Sequence, residues 1–188
     1  MKYKEKSAQG GLDFRPWQPS TWPAGPTKVN SKFVNTLTRI FKESMLEEIR
    51  NVVEDIKHNN GNLEHRGHVV AIALMCALDA VSSYGYNGRH VEKFVRSHFP
   101  AEYRSHAGLV YRLYRNSLVH SWNLFEATLL PGNEGIKMID GTLSFGLLDF
   151  LHALETGIEN FLMRLETDSQ LQENSLARYK DLKRKAKP

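Results

Sequence analysis

Four polar side chains that could bind a phosphate lie close together near the middle of the chain. Arg112, Asn116 and His120 follow one another at four-residue intervals, and Arg115 lies three residues after Arg112. On an α-helix, residues three or four apart lie on the same face, so Arg112, Asn116 and His120 would form a polar ridge that Arg115 flanks. Two guanidinium groups, an amide and an imidazole on one face are suited to binding a phosphate.

The stretch at residues 103–125 must position this ridge. Its apolar residues recur at three- and four-residue spacing and are Leu109, Val110, Leu113, Tyr114, Leu118 and Trp122. This spacing is typical of an amphipathic helix. We therefore predict one long helix from Tyr103 to Phe125, with an apolar arc on one side and the polar ridge on the other.

This residue set suits cleavage of RNA without a metal, in which the ribose 2′-hydroxyl attacks the neighbouring phosphate. A histidine with a pKa near 6.5 can act as base or acid around neutral pH, and an arginine can stabilise charge on the reacting phosphate. We expect His120 and Arg115 to be catalytic. Asn116 would orient His120 or a phosphate, and Arg112 would hold the RNA backbone.

One copy of the helix does not bring Arg115 and His120 together on a single phosphate. On an ideal helix the two residues lie about 140° apart around the axis and ~7.5 Å apart along it. A two-fold dimer across this helix would bring two histidines and two arginines together, which supplies a base and an acid at once. The sequence therefore predicts a homodimer through the helix at 103–125.

The segment RNSLVH at residues 115–120 resembles the signature of the HEPN superfamily, an arginine followed after four to six residues by a histidine. Here the spacer is four residues, and the polar residue Asn116 follows the arginine directly. The setting is also similar, because the segment belongs to a late helix with an apolar helix before it and another after it. The resemblance covers roughly residues 31–168.

This resemblance implies a compact helical bundle that dimerises through the motif helix. It implies one of two functions. The first is a metal-independent endoribonuclease, toxin-like or defence-related, with an antitoxin or other protein as its partner. The second is a non-catalytic module that binds nucleotide, RNA or protein. A third interpretation is an unrelated helical scaffold. In that case Arg115 and His120 would pack against a carboxylate such as Glu126 at a helix interface.

The composition is that of an ordinary globular chain with a mild preference for anionic partners. Hydrophobic residues make up 41% and charged residues 24%, and the formal net charge is +4. The N-terminus lacks the apolar core of a signal peptide, and we expect no segment that spans a membrane. We therefore predict a cytoplasmic protein, in which Cys76, within an apolar run, is a buried reduced thiol.

No cofactor or metal is expected from the sequence. It contains neither the glycine-rich loop that binds nucleotide phosphates nor a dinucleotide-binding fingerprint. His65 and His68 have a spacing that two metal ligands on a helix can take, but no third ligand is evident. A polar helix start is the simpler interpretation of these two histidines.

The chain divides into three predicted parts. Residues 1–30 form a Pro/aromatic N-terminal arm, in which four prolines in eleven residues exclude a regular helix. The arm would cover its own bundle or a partner subunit, or serve as a Pro-rich ligand. Residues 31–168 form the HEPN-like helical domain. Residues 169–188 form a basic C-terminal tail that we expect to be weakly helical from about Gln170 and frayed. Three of its cations, Lys183, Arg184 and Lys185, would contact RNA phosphates.

The predicted fold is all-α, a HEPN-like helical bundle with a small β-hairpin or long loop after the motif helix. Besides the motif helix, periodicity predicts helices from about Ser31 to His58, Glu64 to Tyr84, Arg89 to Phe99 and Ser144 to Glu166. The hairpin or loop occupies residues 125–139. The helix at 89–99 is basic, which is either a solvated face or an extension of a positive surface toward the motif helix.

Overall fold

The computed structural model describes residues 31–58, 63–88, 90–113, 127–130, 132 and 135–186. The predicted N-terminal arm at 1–30 lies outside these residues and stays a prediction. Most of the described chain is helical, as expected. The helices are α1 (Ser31–Thr38), a π-helical segment (Arg39–Leu46), α2 (Glu47–His58), α3 (Leu63–Gly85), α4 (His90–His98), α5 (Ala101–Arg104), α6 (Ala107–Leu113), α7 (Leu147–Leu165) and α8 (Ser169–Lys185). The strands are β1 (Ala127–Leu130), β2 (Ile136–Ile139) and β3 (Thr142–Gly146).

The first predicted helix has the expected limits, but its middle is π-helical. Buried side chains follow each other at three- and four-residue steps before and after this segment, whereas the step from Phe41 to Leu46 is five residues. A π-helix bonds i to i+5 and so holds more residues per turn. Its wider turn brings Leu46 back to the core, whereas Val52 in the following helix is 41% exposed.

Helix α3 is the central element of the bundle and contacts α2, α4, α7 and α8. Contrary to expectation, its stretch Gly67–Gly85 is long and apolar enough to cross a membrane by length and composition. A core helix of a soluble protein has the same character, and 56% of this stretch is buried inside the protein. The burial is consistent with a soluble protein.

Cys76 lies on the exposed side of α3, so the prediction of a buried thiol is wrong. Because α3 is apolar nearly all round, helical spacing alone could not show which of its sides faces the core. Partial burial raises the pKa of the Cys76 thiol, and the nearby Asp79 carboxylate raises it further. The thiol is therefore not activated as a nucleophile.

An aromatic cluster joins α4 to α7 at the centre of the core. The ring centroids of Phe94 and Phe161 are 5.6 Å apart, and those of Phe99 and Phe150 are 5.8 Å apart. Gly157 allows this approach, since a Cβ atom there would lie 2.7 Å from Cδ1 of Phe99. The close packing fixes the end of α4, from which the chain continues into α5 and α6.

The predicted pairing of residues 125–130 with residues 136–139 in a hairpin is wrong. Strands β1 and β2 exist, but the sheet order is β1-β3-β2, with β1 parallel and β2 antiparallel to β3. The hairpin joins β2 to β3 through Asp140 and Gly141, whose φ angles are 49° and 78°. Positive φ at both residues and the Asp-Gly sequence are typical of a type I′ turn. Because β3 takes residues 142–146, the following helix begins at Leu147 and not at Ser144.

The expectation of a frayed C-terminal tail is also wrong, because α8 is a helix that packs on α3. The Asp168 side chain caps its start and accepts a hydrogen bond of 3.0 Å from the backbone N–H of Leu171. Ser175 and Asn174 donate hydrogen bonds to the backbone carbonyls of Tyr84 and Gly85, each at 3.2 Å. Side chains of α8 thus satisfy carbonyl groups at the end of α3 that have no helical partner.

His98 is a buried histidine at the end of α4. The Tyr86 hydroxyl oxygen lies 2.8 Å from its Nε2 atom, and the Phe94 and Phe161 rings flank it. Burial lowers the pKa of His98 to about 4, and the positive charges of nearby Arg164 and Arg104 add to this effect, while Asp168 partly opposes it. His98 is therefore neutral at physiological pH.

We predict that the protein loses stability as the pH falls from about 6.5 toward 4. In the unfolded chain a histidine has a pKa near 6.5, so the folded state binds fewer protons in this range. The stabilisation is complete above pH 6.5 and disappears as the pH falls through the folded pKa of about 4. Between about pH 7.5 and 4.5, wild type should lose roughly 2 kcal/mol more unfolding free energy than His98→Gln.

Urea unfolding at the two pH values measures this difference. His152→Gln is the matched control, because His152 is exposed on α7, and it should lose stability as wild type does. Equal losses in wild type and His98→Gln would contradict the prediction.

Candidate functional site

Helix α6 carries Arg112, the member of the polar ridge that the structure describes. Arg112 is exposed, whereas Ala107 and Val110 on the same helix are buried. The apolar side of α6 thus faces the core and Arg112 faces solvent. This is the division between apolar arc and polar ridge that the sequence predicts for the beginning of the motif helix.

The motif helix does not begin at Tyr103 as predicted. Helix α5 ends at Arg104, residues 105 and 106 form a turn, and α6 begins at Ala107. The backbone N–H of His106 bonds to the carbonyl of Tyr103 at 3.0 Å, and the Arg104 guanidinium donates to the carbonyl of Phe99 at 2.8 Å. The short helix α5 and the turn connect the end of α4 to α6, and α6 packs against α4.

Arg115, Asn116 and His120 fall in residues 114–126, outside the described part of the chain. Their proposed roles stay predictions, and so does the dimer contact through the motif helix. The alternative partner Glu126 falls in the same stretch. The structure describes α6, which leads into the motif segment, and the elements that pack around α6.

The basic helix α4 is a neighbour of α6. Glu92 of α4 faces Gly108 of α6, where a Cβ atom would lie 3.8 Å from the glutamate Oε1. Two basic side chains of α4 bond to other groups of the protein. Arg96 pairs with Glu92 at 3.0 Å, and the Lys93 ammonium donates to the Asn87 carbonyl at 2.8 Å. Arg96 therefore adds little to the positive surface next to α6, whereas Lys93 keeps its charge.

A hydrogen bond between the Asp79 carboxylate and the His90 imidazole joins α3 to the start of α4. A carboxylate bonded to one imidazole nitrogen fixes the orientation of the ring, and sequence reasoning missed this pair. The visible signal was an isolated aspartate in an otherwise apolar run. Which side chain it meets depends on how α3 packs against α4, and spacing along the chain does not contain that information.

Tyr103 of α5, the short helix before α6, has a buried hydroxyl group. Its ring packs between Phe99 and Phe150, with centroid distances of 5.8 and 5.7 Å. Among the described side chains, this hydroxyl is the buried polar group for which no hydrogen-bond partner is found. Burial raises the pKa of the Tyr103 hydroxyl, and the negative charge of Asp149 on α7 raises it further. The hydroxyl therefore stays protonated at physiological pH.

The cations proposed to contact RNA phosphates lie on another helix. Lys183, Arg184 and Lys185 are exposed in the last turn of α8. Because α8 packs on α3 and α6 packs on α4, these cations and Arg112 belong to different pairs of helices. The structure does not gather them into one cluster.

Within the described ranges, no group of three or more His, Cys, Asp or Glu side chains is placed to hold a metal ion. His68 is half-buried near the start of α3, and the side chain of His65 is outside the description.

Comparison of the chain with family models, curated proteins and solved structures finds no match. The resemblance to the HEPN superfamily therefore rests on the segment at 115–120 and on its helical setting.

We predict that Tyr103→Phe raises the free energy of unfolding by about 1 kcal/mol, because it removes a buried hydroxyl that has no partner. Chemical denaturation measures the change. Tyr86→Phe is the matched control, since its hydroxyl lies 2.8 Å from Nε2 of His98, and it should lower the unfolding free energy by a similar amount. A loss of stability in Tyr103→Phe would contradict the prediction.

Proposed function

We propose that the protein is a metal-independent endoribonuclease of HEPN type that cleaves RNA at a composite site between two copies of the chain. The observation that carries this proposal is the segment at 115–120, which directly follows a helix with a buried apolar side and an exposed arginine, Arg112. A helical continuation beyond Leu113 would place Asn116 and His120 on the same side as Arg112.

Each ridge residue has a distinct task in this reaction. His120 of one copy removes the proton from the 2′-hydroxyl, and His120 of the other copy protonates the departing 5′-oxygen. Arg115 stabilises negative charge on the pentacoordinate phosphorus. Asn116 orients His120 or a phosphate oxygen, and Arg112 holds the backbone. The products are a 2′,3′-cyclic phosphate and a 5′-hydroxyl.

The mostly helical fold and the burial of α3 agree with a soluble protein of this kind. We place it in the cytoplasm, where RNA is the abundant polyanion. A toxin-like or defence-related role follows from the resemblance, and such a role would require an antitoxin or another protein that controls the activity.

A non-catalytic HEPN-like module, binding nucleotide, RNA or protein, is the second candidate. The observation that favours it is the internal pairing of α4, where the Glu92 carboxylate offsets Arg96. An RNA-cleaving surface gains from unpaired positive charge, and this pairing reduces the positive charge beside α6. A dimerisation module has no such need.

We predict that the protein is a homodimer at micromolar concentration. A polar ridge on a helix that is otherwise apolar needs a second copy to complete the site. Light scattering coupled to size exclusion should give about twice 21.5 kDa. A dilution series distinguishes a dissociating dimer from a stable one. A monomer mass at the highest concentration would remove the composite site.

We predict that the protein cuts single-stranded RNA in the presence of a chelator and leaves 2′,3′-cyclic phosphate ends. His120→Ala should lower the rate at least ~100-fold, the low end for loss of a general acid or base. His152→Ala is the control, because His152 is exposed on α7, and it should cleave as wild type does. If wild type cleaves no RNA in chelator but binds it, the module is the correct function.

A further inference from the structure

Helix α8 is held on the bundle by one of its sides. Leu171 is buried, and Tyr179 and Leu182 are partly buried against the core. The Tyr179 ring packs edge-on against Phe33 of α1 with a centroid distance of 5.7 Å. The Arg178 guanidinium donates to the Ser83 hydroxyl of α3 at 3.3 Å. These contacts fix the orientation of the helix, so the residues on its other side form a defined surface.

That other side concentrates positive charge. From Ala177 to Ala186 the chain has five basic residues and one acidic residue, while the formal net charge of the whole chain is +4. Lys180, Lys183, Arg184 and Lys185 are exposed. This short segment therefore accounts for the positive excess of the protein, and the remainder of the chain is close to neutral.

Asp181 organises the cations around it. Its carboxylate lies 2.8 Å from both the Arg184 guanidinium and the Lys185 ammonium, and 3.7 Å from Arg178. Lys180 and Lys183 form no ion pair with any residue that the structure describes. The surface thus has two free ammonium groups beside a cluster in which one carboxylate holds three cations.

We propose that this surface, the α8 cation surface formed by Arg178, Lys180, Lys183, Arg184 and Lys185, is a docking site for the phosphate backbone of single-stranded nucleic acid. The choice of nucleic acid as the partner rests on the proposed function, but binding at this surface does not depend on the cleavage chemistry. Phosphates bind the free Lys180 and Lys183 and compete with Asp181 for its cations. Asp181 therefore limits the affinity.

The burial of the apolar side of α8 is the reason for choosing nucleic acid over a membrane surface. A helix that lies on a membrane inserts an apolar face between the lipid headgroups. In α8 this face, which contains Leu171, Tyr179 and Leu182, already packs on the bundle. Most of what remains exposed among the cations is charge, with Leu176 as the one large apolar side chain of α8 that is exposed, at 37%. This charge attracts a polyanion through counterion release. A fixed helix also loses less conformational freedom on binding than a loose tail does.

Binding should be measured with an oligodeoxythymidine of about 20 nucleotides, long enough for a surface of this size. It lacks the 2′-hydroxyl, so the proposed reaction cannot cleave it, and the result is independent of whether the enzyme proposal holds. Fluorescence anisotropy over a salt series gives both the affinity and its salt dependence. The full-length chain is used throughout.

The double variant Lys180→Gln with Lys183→Gln removes two phosphate contacts. Affinity near 0.1 M salt should fall at least tenfold, and the slope of log affinity against log salt should decrease by about 1.4, or ~0.7 per contact. Lys57→Gln with Lys137→Gln is the matched control, because both lysines are exposed on other elements and the net charge changes equally. The control should remain within about twofold of wild type. Equal losses in the two double variants would overturn the proposal.

Asp181→Asn tests the same surface through a gain of binding, which misfolding cannot imitate. Releasing three cations from the carboxylate should tighten binding by about fivefold, the effect of one added contact near 0.1 M salt. Unchanged or weaker binding would overturn the role of Asp181. Absence of wild-type binding to the oligonucleotide, together with binding to vesicles rich in anionic lipid, would overturn the choice of nucleic acid as the partner.

Discussion

The burial of α3 is the constraint on which the rest of the fold depends. A helix that is apolar nearly all round must be covered on several sides, and α2, α4, α7 and α8 do this. The last carbonyl groups at the C-terminal end of α3 have no helical partner and need other hydrogen-bond donors. Ser175 and Asn174 of α8 bond to the carbonyls of Tyr84 and Gly85. Covering the apolar helix and satisfying its end are therefore achieved by the same packing of α8, and this packing sets the direction of the α8 cations.

The sequence predicts those elements whose stability comes from an apolar stripe. The limits of the first helix, of α3 and of α4 follow from three- and four-residue spacing. Prediction failed where another interaction decided the structure. The π-helical turn between Phe41 and Leu46 changes the period itself. The hairpin depends on the Asp140-Gly141 turn, whose signal was present and was not used. Helix α8 docks through a few apolar residues together with the polar contacts of Asn174 and Ser175, which a hydrophobic pattern does not detect.

The same distinction applies to the candidate site. The cluster around Asp181 is local, since its members lie three or four residues apart on α8, and the residues of the predicted polar ridge have the same spacing in the sequence. The sequence analysis recognised Lys183, Arg184 and Lys185 as cations of this cluster but missed Asp181, which pairs with Arg184 and Lys185. The Asp79–His90 pair and the environment of Tyr103 are not local. They depend on how α3 meets α4 and how α5 meets α7, and these contacts are determined by the packed core.

Charge on this protein is divided between two surfaces with different ranges of action. Next to α6, Arg96 is paired with the Glu92 carboxylate, so its field is largely cancelled beyond the immediate contact. On α8, two lysines are unpaired among the described residues and five cations face one carboxylate. Unpaired charge attracts a polyanion across roughly one Debye length, about 8 Å at physiological salt. Under the proposed function, capture of RNA then belongs to α8, and the ridge acts only on a phosphate that is already in contact. Affinity and turnover would thus be set by different helices, and each could change through substitution without the other.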